Sequence, residues 1–100
     1  MLRTKKHLTR SDAEAIAASG LGFLAEEPQR LTRFMGLTGI DLDQLRSQAG
    51  SPPVLRAVLD HLLEDESLLL VFVSGAGLRP EVLAEARSLL DDHAPANRRR

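Results

Sequence analysis

His61, Glu64 and Asp65 put an imidazole and two carboxylates within about one helical turn, with Asp60 and Glu66 beside them. Those groups are the raw material of a metal site or of general acid–base chemistry. One helix end, however, supplies only one side of a coordination sphere, and the sequence holds no second histidine–carboxylate group. Acids at 65 and 66 are better used as the N-cap and first turn of a following helix, where the helix dipole favours negative charge. The chain has no cysteine, which excludes thiolate nucleophiles, thiolate zinc sites and disulfides. Serine, histidine and aspartate all occur, but without the spacing of a nucleophile beside its base. His7 and His93 lie near the chain ends and read as surface residues. The expectation is a protein that is not an enzyme, with no catalytic residue, no metal and no cofactor.

Two glycine patterns fail on context. Gly20-Leu21-Gly22-Phe23-Leu24-Ala25 has the spacing of a dinucleotide-binding turn, but that turn needs a strand before it and a helical segment stands there. Gly75-Ala76-Gly77 is followed by Pro80 and only one more helix, so it reads as a helix stop and a corner.

Arg30, Arg33, Arg46 and Arg56 are the basic residues in the middle of the chain, and Arg30 and Arg33 share a helix face. Arginine forks recognise carboxylates in pairs, so these four are the candidate protein-interaction residues. Internal ion pairing with Glu26, Glu27 or the acids at 60–66 is the alternative, and the residues alone leave both open. Around Leu37-Thr38-Gly39-Ile40 the spacing also suits a helix-turn-helix, with Gln44, Arg46, Ser47 and Gln48 facing base edges. Asp41 and Asp43 would then face phosphates. Nucleic acid is therefore the lesser reading.

Charge distribution points the same way. Residues 1–10 carry Arg3, Lys5, Lys6 and Arg10, and Arg98, Arg99 and Arg100 follow the body. Between them, residues 11–97 hold all 14 acidic groups against 6 basic ones, a net of 6 − 14 = −8. Such a body repels phosphates and acidic headgroups. The longest uncharged run, 67–78, has 12 residues where about 20 are needed to span a membrane. Asp12, Glu14 and the glycines break the order of a secretory signal, so the cytoplasm is the expected location.

The elements that must position these residues are helical. Leucine supplies 19 of the 100 residues and alanine 12, whereas valine and isoleucine together supply 7 and tryptophan and tyrosine none. That balance favours helix over strand. Ser11-Asp12-Ala13-Glu14 has the form of a capping box opening a first helix over about 12–26. Gly20 and Gly22 weaken that helix unless another helix needs to come close. Pro28 opens a second, with Leu31, Phe34, Met35 and Leu37 inward and Gly39 as its stop. Asp41 and Gln44 repeat the box for a short third helix ended by Gly50. Ser51-Pro52 begins a fourth with Leu55, Val58, Leu59 and Leu62 on one face, and Pro80 a sixth through Val82, Leu83, Ala86, Leu89 and Leu90.

The fifth segment, capped by Asp65, carries Leu68-Leu69-Leu70-Val71-Phe72-Val73. Six consecutive apolar residues also suit a buried strand, and periodicity cannot separate the two. A lone strand has no partner, so helix is expected; apolar all round, it would be the central helix. Alternatively its surplus apolar surface serves a homodimer or a protein partner.

The expected fold is therefore all-α: a bundle of about six short helices over 11–93, with a basic tail at 1–10 and a basic, disordered tail at 94–100. A shift of 38 residues superposes Leu21 on Leu59, Leu24 on Leu62, Phe34 on Phe72 and Gly39 on Gly77. Two three-helix repeats would produce that register, and so would any leucine-rich bundle with regular loops.

The residues also resemble a known family. Phe23-Leu24-Ala25-Glu26-Glu27-Pro28-Gln29-Arg30-Leu31, Arg33-Phe34, Leu37-Thr38-Gly39, Leu45-Arg46, Val58-Leu59-Asp60-His61-Leu62-Leu63 and Asp65-Glu66 are similar to domain-of-unknown-function family 3572, found mainly in alphaproteobacteria. The resemblance covers about 12–90 and brings no activity, cofactor or substrate. Genes of that family lie near response-regulator genes, which implies a place in bacterial signalling. The leading functional expectation is a protein–protein interaction or adaptor module; the alternative is a helix-turn-helix regulator that binds nucleic acid.

Overall fold

The computed structural model describes residues 8–91, and within them every regular element is an α-helix. The order is α1 (Arg10–Ala25), α2 (Pro28–Thr38), α3 (Leu42–Gln48), α4 (Pro52–Leu63), α5 (Glu66–Ala76) and α6 (Pro80–Leu90). The all-α expectation holds, and 68–73 is helix. The expectations for the two tails, His7 and His93 fall mostly outside the described residues.

Local chemistry explains where each helix starts and stops. Pro28, Pro52 and Pro80 occupy first helical positions, where a missing N–H costs nothing. Asp41 opens α3 as a capping box: its carboxylate accepts from Gln44 N at 2.8 Å while Gln44 Oε1 accepts from Asp41 N at 3.0 Å. Asp65 caps α5 by accepting from Leu68 N at 3.1 Å. Gly39 and Gly77 close α2 and α5 in the left-handed region, at φ 79° and 71°, a conformation that a side chain would strain.

The start of α1 differs from the sequence expectation. Thr9 rather than Ser11 is the N-cap, and the reciprocal partner is Asp12 rather than Glu14. Thr9 Oγ1 accepts from Asp12 N at 3.0 Å, and Asp12 Oδ2 accepts from Thr9 N at 2.9 Å. Arg10, assigned to the tail, is consequently the first helical residue.

The core is built where α1, α4 and α6 pack on one another, with α2 laid on α1 and α5 on α4. Val58, Leu59 and Leu62 of α4 are sealed among Ala13, Ala17 and Leu24 of α1 and Leu83, Ala86 and Leu90 of α6. Gly20 belongs to this contact. A Cβ there would lie 3.0 Å from both Leu62 Cδ1 and Val58 Cγ1, so the bare backbone lets α1 approach α4. No such constraint acts at Gly22, where a Cβ would meet nothing within 4 Å.

α5 is therefore not the central helix. It buries Leu69, Phe72 and Val73, and leaves Leu70 46% and Val71 53% exposed. Its uniform hydrophobicity concealed a one-sided contact, because the centre was already filled by the alanine-lined side of α1. Leu37 also departs from expectation, standing 66% exposed on the outer side of α2.

The 38-residue register is matched at element ends but not in packing. α2 and α5 coincide after the shift, as do their left-handed glycine stops. α6, however, packs against both α1 and α4, whereas its counterpart α3 adds only Leu45 to the core. A structural repeat is not established.

Candidate functional site

The four singled-out arginines do not converge. Arg30 lies 4.2 Å from the centre of the Phe23 ring and 4.0 Å from Glu27 Oε2, which joins the start of α2 to the end of α1. Arg56 spans from α4 to α6, donating to the Leu90 carbonyl at 3.1 Å. Arg10 donates to the Leu89 carbonyl at 3.0 Å. Two guanidinium groups thus satisfy the free carbonyls that end α6, the end at which the helix dipole favours cations. Arg33 and Arg46 are exposed, on α2 and α3. Internal contacts account for Arg30 and Arg56.

The acidic cluster is likewise divided among structural tasks. Asp60 accepts from Arg87 Nε at 2.6 Å, tying α4 to α6, and Arg87 also lies 3.7 Å from Asp91. Asp65 is the cap described above. His61 is buried, edge-on to Phe34 with ring centres 5.3 Å apart, and its Nε2 has no hydrogen-bond partner. Burial holds the imidazole below its ordinary pKa; nearby Arg33 adds to this, while Asp65 and Glu64 oppose it. Among the described residues, no group of three or more histidines and acids is placed to hold a metal ion. Of the side chains considered for reading bases, Gln44 is occupied in the α3 cap and Ser47 donates to the Asp43 carbonyl at 2.8 Å.

What stands out instead is the outer side of α5. Ser67, Leu70, Val71, Ser74 and Gly75 are all exposed, and their spacing places them along one stripe. On one flank lies a groove of about 640 Å³ between α1 and α5, lined by Phe23, Val71 and Phe72 and by the small residues Gly22, Gly75 and Ala76, which leave space open. Glu26, Glu27 and Arg30 form its charged rim. On the other flank, Leu70, Val71, Val73, Ser74, Leu78 and Pro80 line a depression of about 570 Å³. The two share Val71, so apolar surface runs across α5 without a break.

Of the apolar surplus expected around this helix, Leu68, Leu70, Val71 and Val73, only Leu70 and Val71 face out; Val73 is buried and Leu68 is partly covered. No local signal in an unbroken apolar run carries that information. Among the described residues, no single helix is long and apolar enough to cross a membrane.

No curated protein and no solved structure matches the chain. One family model does, over residues 10–93, which takes in all six helices and agrees with the resemblance read from the sequence. The chain belongs to the family described as Protein of unknown function (DUF3572).

Proposed function

We propose that this protein is a cytoplasmic protein-interaction module, an adaptor rather than a catalyst, and that it binds through the outer side of α5. A single observation carries the reading: Leu70 and Val71 stand about half exposed at the meeting of two apolar hollows. Burying that surface against a partner removes apolar area from water at about 25 cal/mol per Å². The residues that could do chemistry support the same view, because Asp60 and Arg56 tie α4 to α6 and Asp65 caps α5.

The experiment is site-directed photo-crosslinking in the native cell. A photoreactive residue at position 71 is expected to give a discrete protein adduct, whereas the same residue at position 47 on α3 gives none. Adducts from 47 alone, or from neither position, overturn the reading. A nucleic-acid adduct from 47 would revive the helix-turn-helix alternative.

A further inference from the structure

We propose that a trough between α2, α4 and the first turn of α5 binds a linear aliphatic polyamine, at a place apart from the outer side of α5. Two hollows form it, one of about 410 Å³ beside the α4–α5 corner and one of about 280 Å³ between the end of α2 and α4. Leu37, His61 and Glu64 line both, so the two are continuous. Carboxylates stand along the whole length, from Asp60 through Glu64 to Asp65 and Glu66. Asp60 is held by Arg87 and Asp65 caps α5. Glu64 and Glu66, by contrast, are exposed and form no ion pair among the described residues. Arg33 opposes them from the rim.

Two further observations point to an occupant and to its class. His61 is only 6% exposed and its Nε2 has no hydrogen-bond partner, although buried polar atoms are nearly always paired. The ring, kept neutral by burial, has one acceptor nitrogen, and an ammonium group brings only donors. Leu37 stands exposed where the two hollows join, an apolar surface that a chain of methylene groups covers. Asp60 and Glu64 lie about 6 Å apart along the axis of α4, close to the spacing of two nitrogens joined by four carbons. A compact metal ion does not suit the trough, because among the described residues no three histidine or acid groups converge. Carboxylates strung out beside an exposed leucine suit a cation of the same extended form.

Isothermal titration calorimetry of the full chain at low salt, with putrescine and spermine as the probes, provides the test. Spermine is expected to bind with saturation, and about tenfold more tightly than putrescine, since each added ammonium meets a further carboxylate. Glu64→Gln with Glu66→Gln is expected to weaken spermine about tenfold, with the circular dichroism spectrum unchanged because both positions are exposed. Leu37→Ser is expected to weaken it as well, and Arg33→Ala, which removes the opposing charge, to tighten it. Glu26→Gln with Glu81→Gln takes the same charge from exposed positions elsewhere and is expected to leave the affinity unchanged. Absence of saturable binding overturns the inference, and so does weaker binding by Arg33→Ala. An equal loss from the Glu26 and Glu81 pair overturns it too, since that is general attraction to an acidic body.

Discussion

The rings of Phe23 and Phe72 meet with centres 5.3 Å apart and planes tilted by 50°, and this contact decides which way α5 faces. Phe72 points into the junction with α1, where the bare backbone of Gly20 leaves its ring room 3.9 Å from a would-be Cβ. With Leu69, Phe72 and Val73 turned inward, Leu70 and Val71 must face out. An inward aromatic pair thus creates the outward apolar stripe.

Phe72→Ala should destabilise the fold by about 3–5 kcal/mol, because it removes a ring that is only 3% exposed and leaves a cavity against Phe23. Urea denaturation measures the loss. A value below about 1 kcal/mol would mean that α5 is not anchored by this residue.

The two glycines of α1 should respond oppositely. Gly20→Val forces branched atoms into Leu62 and Val58 and is expected to cost about 1–3 kcal/mol. Gly22→Ala meets nothing within 4 Å and should gain up to about 1 kcal/mol through helix propensity. Thermal melts of the pair decide it, and equal signs would place the α1–α4 contact elsewhere.

Much of the fold is written locally. Proline at 28, 52 and 80, the Asp41–Gln44 box, Asp65 and the glycines at 39 and 77 set helix ends through contacts spanning a few residues, which is why their positions could be read directly. At the start of α1 two overlapping Ser/Thr-x-x-acid patterns compete, Thr9 with Asp12 and Ser11 with Glu14, and only Thr9 is placed outside the helix. Facing is a different kind of property. Whether Leu37 or Leu70 is covered depends on helices far away in sequence, and α5 offers no polar side to reveal it. Arg56 shows the same limit: its bond to the Leu90 carbonyl joins residues 34 apart, and no pattern near Arg56 signals it.

The arginines should therefore separate in their effects. Arg56→Ala strips a carbonyl partner from the end of α6 and is expected to cost about 1–2 kcal/mol. Arg33→Ala, at an exposed position, should stay within about 0.5 kcal/mol. Comparable losses from both would contradict the structural role given to Arg56.

His61 should make stability pH-dependent. Its pKa in the folded chain lies below the ordinary 6.5, chiefly from burial, so the unfolded chain binds the proton more readily. Stability is then full above about pH 6.5 and declines as pH falls towards the lowered value. Melting temperatures between about pH 7.5 and 5 should drop for the wild type and flatten for His61→Phe, which keeps a ring against Phe34. Identical slopes would show that another group is responsible.

The most direct test of the α5 surface is photo-crosslinking in the native cell, compared between its outer side and the exposed positions of α2 and α3. Discrete protein adducts from positions 70 and 71, and none from positions 33 and 47, are the expected result. Adducts from 33 and 47 with none from 70 and 71 would contradict the assignment of α5 as the docking surface.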